Sequence, residues 1–335
     1  MSLRQKLKNL WITQGSLLTL CSLILILSYT MDILKARSNY DEIGVYVEGL
    51  AKVERDDKWG FIDERGSEVI PLIYESASDF SEDLALVELD NNYGFINKSG
   101  QIVIPIKYHY DTDDFSEGLA RVRFNFKWGL IDKTGKEVTP LMYDQIDDFS
   151  EGLAAVKLND KWGFINNTGK EVVPPIYDWV KDFSEGLALV GLNELFGYID
   201  KSGKEIIRRM YSGAESFSEG LAAIGFADKY GFIDKTGKEV IPRRFDGAEY
   251  FQEGRALVHY YTYINKNLVI KYGFIDKKGR EINTRKYNYA EPFTDGFAMV
   301  MLNGKDGYVD RGGHEYWTMT SAEAQELARN WKPKK

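Results

Sequence analysis

The chain has 335 residues, 44% hydrophobic and 28% charged, with 43 Lys plus Arg against 51 Asp plus Glu and a net charge of −8. That apolar content suits a folded protein, and the acidic balance excludes nucleic-acid binding driven by counterion release. One cysteine and three histidines exclude an intramolecular disulfide and a Cys-rich metal site, so no metal, cofactor or nucleic-acid partner is expected.

The first predicted element is an address. Arg4, Lys6 and Lys8 precede an uncharged run from Asn9 to Met31, 23 residues, which is long enough to cross a bilayer as a helix. Its end, Ser28-Tyr29-Thr30-Met31, lacks the small residues of a cleavage site, so an uncleaved signal anchor is the reading and a cleaved, secreted form the alternative. The three leading positives place the N-terminus in the cytoplasm and everything after about Tyr40 outside. Residues 1–31 are thus the stub and anchor, 32–44 a linker.

From residue 45 to 316 one pattern fills the chain. An aromatic–Gly pair recurs at Trp59-Gly60, Tyr93-Gly94, Trp128-Gly129, Trp162-Gly163, Phe196-Gly197, Tyr230-Gly231 and Tyr272-Gly273, and ends as Asp306-Gly307. The spacing is about 34 residues throughout, except for one insertion of 8 near Tyr260-Tyr261-Thr262-Tyr263. Two further columns are invariant: an alanine from Ala51 to Ala298, and a glycine six residues after the paired one, from Gly66 to Gly313. Small residues at fixed positions mean close packing or positive φ. In the fourth copy the spacing predicts strands over 153–158, 161–165 and 171–173. Asn159-Asp160 is a hairpin turn, Asn166 to Gly169 a type I turn closed by an αL glycine, and Pro174-Pro175 end the third strand.

The string Lys161-Trp-Gly-Phe-Ile-Asn166, continued by Gly169-Lys-Glu-Val and Tyr177-Asp178, with Phe183-Ser-Glu-Gly-Leu-Ala188 after it, resembles the WG β-repeat family of bacterial proteins. The resemblance covers about four fifths of the chain and implies a modular, all-β, exported or surface-associated protein without a general catalytic activity. The fold expected is a tandem array of eight three-stranded repeats, with an open solenoid favoured over a closed, propeller-like ring. After it, Thr320 to Trp331 has capping-box spacing and one apolar face, so a helix within 317–335 is expected to cap the last repeat.

Each candidate site competes with an architectural role for the same residues. The aromatic–Gly rings suit a glycan, but exchange among Trp, Tyr and Phe favours packing. The turn acids Asp63, Asp132, Asp200, Asp234, Asp276 and Asp310 favour turn capping over calcium, since Asn97 and Asn166 share their column. The Glu of the Ser-Glu-Gly corner (Glu82, Glu117, Glu151, Glu185, Glu219, Glu253) reads as a corner contact, with paired catalytic carboxylates second. Singular residues are better candidates: Tyr260, Tyr261 and Tyr263 of the insertion, then Trp179 and His109, against a tolerated surface insertion. The function expected is a membrane-tethered extracytoplasmic module for a protein or glycan partner, not an enzyme; an enzyme or accessory subunit with a cleft is the alternative.

Overall fold

Three tight turns write each repeat. In the computed structural model, which describes residues 39–317, the corner Glu185-Gly186 has φ of 54° and 87°. Ser184 and Leu187 on either side exchange backbone hydrogen bonds of 2.9 and 3.2 Å. Two positive-φ residues between bonded partners make the hairpin turn whose twist matches antiparallel strands. Asn193-Glu194, also at positive φ, turns the chain back a second time. At the third turn the Gly203 N–H donates to the Asp200 carbonyl at 2.9 Å, and Asp200 Oδ1 accepts the N–H groups of Ser202 and Lys204. The same double cap is made in all eight repeats, by Asn97 and Asn166 where Asp is missing.

The described residues fold as eight antiparallel sheets in sequence order, with strands as their regular elements. Seven of them have four strands, which corrects the expected three. In the fifth repeat these are Trp179–Val180, Leu187–Leu192, Leu195–Asp200 and Glu205–Tyr211. The extra strand is the segment read as a connection: Trp179 pairs with Gly191 and Val180 with Val190. It grows to six residues at Glu42–Val47, Gln145–Ser150 and Gly247–Gln252, each with a bulge.

The prolines do not end the outer strand either. Glu171–Tyr177 runs through Pro174 and Pro175 because the register jumps there, from Phe164↔Val173 to Trp162↔Tyr177, and residues inside a bulge on an edge strand owe no N–H to the ladder. The third repeat is the exception, with a regular ladder only between Leu119–Phe124 and Lys127–Asp132. There Thr139 replaces the aliphatic residue of its column, and its Oγ1 accepts the Leu130 N–H at 2.9 Å; that bond displaces the ladder, leaving isolated bridges.

The chain divides into two bodies, Met1–Tyr143 and Asp144–Lys335, between the third and fourth repeats. Within each, a core cluster is shared by successive repeats: Tyr198 and Ile207 of the fifth pack with Phe217, Ile224 and Ile233 of the sixth. The alanine column is buried throughout. The corner phenylalanine packs edge-on against the ring after the paired glycine of the preceding repeat, with centroids 4.8–4.9 Å apart at Phe115 on Phe95 and Phe183 on Phe164. Among the described residues no helix is long and apolar enough to cross a membrane; the anchor expected at 9–31 and the C-terminal helix lie outside them.

Candidate functional site

The repeated polar columns are occupied by joints between repeats. Glu185 accepts the Gly220 N–H with both carboxylate oxygens, at 3.2 and 3.0 Å, and ion-pairs with Lys235 at 3.0 Å. Both partners belong to the next repeat. The pattern recurs at Glu82 with Gly118 and Lys133, at Glu151 with Gly186 and Lys201, and at Glu219 with Gly254 and Lys277. Burial pushes Glu151 up, but Lys201 and the Gly186 N–H more than offset that and hold it below the ordinary carboxylate range. Beside it the corner serine donates forward: Ser184 Oγ to the Phe217 carbonyl at 2.8 Å, Ser218 Oγ to that of Phe251 at 2.6 Å. The turn acids spend an oxygen on their own turns, and among the described residues no cluster of three His, Cys, Asp or Glu is placed to hold a metal.

The aromatic–Gly rings stand between the two readings weighed for them. Trp59, Tyr93, Trp162, Phe196, Tyr230 and Tyr272 are half-buried at the margins of the core clusters, while the core itself is filled by the next residue, as at Phe164 and Phe232. The glycine serves its own sheet. A Cβ at Gly163 would stand 2.3 Å from the Val173 carbonyl and 2.7 Å from Pro174, so the bulged outer strand can cross only a glycine.

The insertion is a ribbon that lengthens the second and third strands to Arg255–Ile264 and Asn267–Asp276. Tyr260 is 4% exposed, hydrogen-bonded to Glu281 at 2.9 Å and covered by the Arg285 guanidinium at 4.3 Å; it is a core residue with no free ring face. Tyr261 and Tyr263, 52% and 73% exposed, pair across the ribbon with Ile270 and Leu268 and form one apolar face. Trp179 is 39% exposed, edge-on to Phe196 at 5.7 Å, with Lys181 Nζ 5.7 Å from its ring. His109 lies in the other body, against Tyr110 at 4.2 Å.

A further surface went unread in the sequence. Trp179, Gly191 and Phe196 lie side by side across the fifth sheet, and the matching row is Gly213, Gly225 and Tyr230 in the sixth and Gly247, His259 and Tyr272 in the seventh. In the eighth the row is Tyr289, Met301 and Asp306. At the same registers the earlier repeats carry Glu42 and Glu54, Ser76 and Glu88, and Gln145 and Lys157. The signal was available: Gly191, Gly213, Gly225 and Gly247 belong to none of the shared glycine columns. Each lies under a ring. A Cβ would stand 2.9 Å from Phe196 at Gly191, 2.9 Å from Tyr230 at Gly225, 2.3 Å from Tyr230 Oη at Gly213 and 1.9 Å from His259 at Gly247. Burial holds His259 below its usual pKa, against the pull of Asp246, so the rows of the fifth to seventh repeats are uncharged at neutral pH.

These features define a tandem β-repeat protein whose repeats are jointed by their commonest polar residues. The WG containing repeat matches at residues 38–59, 59–93, 93–128, 128–162, 162–195, 196–230, 230–258 and 272–305, and the chain belongs to that family. No curated protein matches it. Among solved structures it is similar to Kluyveromyces lactis Hsv2 at 8% identity and a TM-score of 0.36, covering 70% of this chain and 93% of that one. Saccharomyces cerevisiae Sqt1 aligns at 11% identity and a TM-score of 0.30, covering 79% and 94%. The extracellular domain of the one component system BT4673 of B. thetaiotaomicron aligns at 12% and 0.30, covering 83% and 54%.

Proposed function

We propose that the chain is a binding module, tethered outside the membrane by residues 9–31, that takes a protein or glycan partner and has no reaction centre of its own. The observation that carries this reading is the employment of the repeated acids: the corner glutamates Glu82, Glu151, Glu185, Glu219 and Glu253 and the turn aspartates have partners in the array, which leaves the singular aromatic surface of the C-terminal body for recognition. Aromatic side chains exposed on a rigid scaffold are the usual anchors of an interface. The tether rests on the uncharged run and its leading positives, and the open array remains our reading over a closed ring.

The test uses the full chain in detergent, as bait against envelope extracts. A partner retained by the wild type and lost with Trp179→Ala or with Tyr261→Ala and Tyr263→Ala together supports the module; turnover of a substrate by the wild type overturns it. Protease added to intact cells should cut the repeats, and a protected array would overturn the orientation.

A further inference from the structure

The uncharged rows of the fifth to seventh repeats are followed in the eighth by Tyr289, Met301 and Asp306. Tyr272 meets Tyr289 at 6.2 Å across the seventh and eighth. Two residues further along each first strand, on the same face, stand Lys181, Glu215, Glu249 and Glu291. Lys181 Nζ bonds Glu215 at 2.6 Å, Glu215 lies close enough to help push Glu249 above the ordinary carboxylate range, and Glu291 accepts the Tyr289 hydroxyl at 3.1 Å. A strip of rings therefore runs beside a line of hydrogen-bonding groups, one step of each per repeat.

We infer that this strip binds an uncharged glycan chain laid along the fifth to eighth repeats, an inference that deepens the binding-module reading and rests on it. Three features choose the occupant. The rings of Phe196, Tyr230 and His259 pack over glycines where a Cβ would collide with them, and aromatic rings at a sheet surface suit the C–H face of a sugar. The line beside them accepts hydroxyl donors and, being mostly carboxylate, repels anionic lipid or anionic polysaccharide. A polymer with a repeating unit meets a site with a repeating step.

The experiment is calorimetric titration of the full chain in detergent with cellohexaose, chitohexaose and xylohexaose, and with hexagalacturonate as the anionic probe. At least one neutral hexasaccharide should saturate and hexagalacturonate should not. Trp179→Ala and Tyr289→Ala, both at exposed positions, should each weaken binding at least tenfold, with circular dichroism unchanged. Gly213→Ala should weaken it also, by driving the tip of Tyr230 off the sheet. Absence of binding by every neutral probe, or wild-type affinity in both ring variants, overturns the inference. In that event a partner lost with Tyr261→Ala and Tyr263→Ala leaves the module standing; cleavage of a bound hexasaccharide keeps the strip and removes the module.

Discussion

The corner glutamate has three simultaneous duties, which explains its retention better than any one of them. At Glu185 the backbone takes φ 54°, the carboxylate receives the Gly220 N–H, and Lys235 closes an ion pair at 29–44% side-chain exposure. Solvent screens that pair, so the hydrogen bond to the backbone carries most of the joint. Glu185→Ala should cost about 1–2 kcal/mol in urea unfolding, and Glu185→Gln, which keeps an acceptor, less than half of that. Equal losses would assign the joint to the ion pair. The turn aspartates behave differently. Hydrogen bonds from Thr134, Ser202 and Thr236 hold Asp132, Asp200 and Asp234 below the ordinary carboxylate range. A carboxyl depressed in the folded state adds stability above its unfolded pKa of about 3.9 and loses it as pH falls through the folded value. Replacing all three by Asn, the residue two repeats already use, should flatten the acid limb of a pH–stability curve while leaving the neutral value nearly unchanged.

A strand is legible in sequence when turn chemistry brackets it and its pattern persists for several residues. Leu153–Leu158 has both, which is why its ends could be read. Trp179–Val180 has neither: two residues carry no period, and the pairing with Gly191 and Val190 is a tertiary outcome. Pro174 and Pro175 misled for a related reason. A proline ends a strand only if the ladder needs its N–H, and the bulge removes that need. The strip is not legible down the shared glycine columns, because Gly213 and Gly225 matter by standing outside them. The bulge also defines a prediction for the element. Gly163→Ala sets a Cβ 2.3 Å from the Val173 carbonyl, so the outer strand must lift from its neighbour, at a cost of about 1–3 kcal/mol. Gly186→Ala meets nothing within 4 Å and should cost only the strain of its φ of 87°, about 1–2 kcal/mol. Amide exchange separates them: the first should expose Glu171–Tyr177 selectively, the second should not.

Charge acts on the array as a whole. Residues 1–44 and 311–335 each carry a net +2, so 45–310 carry −12 of the chain's −8. Part of that charge is crowded on the first strands and the corners they lead into. Asp182 is pushed up by partial desolvation and by Asp147 and Asp148 beside it, and Glu249 by desolvation and Glu215. A carboxyl raised in the folded state has the opposite linkage to the turn aspartates: ionised at neutral pH it opposes folding, and as pH falls through the folded value its protonation favours the folded chain. Stability should therefore rise as pH drops from 7 toward the raised values, then fall below about 4 as the turn aspartates protonate. Salt tests the same balance by another route. Going from about 0.01 to about 1 M salt shortens the screening length from about 30 to about 3 Å, which weakens repulsion among the carboxylates and attraction in the joints alike. The joints are half-exposed pairs of small individual worth, whereas repulsion grows with every like charge in the array. Thermal unfolding at pH 7 should shift upward with salt, and the shift should shrink in an Asp182→Asn, Glu249→Gln double variant; a downward shift would mean that the ion pairs of the joints outweigh the repulsion of the array.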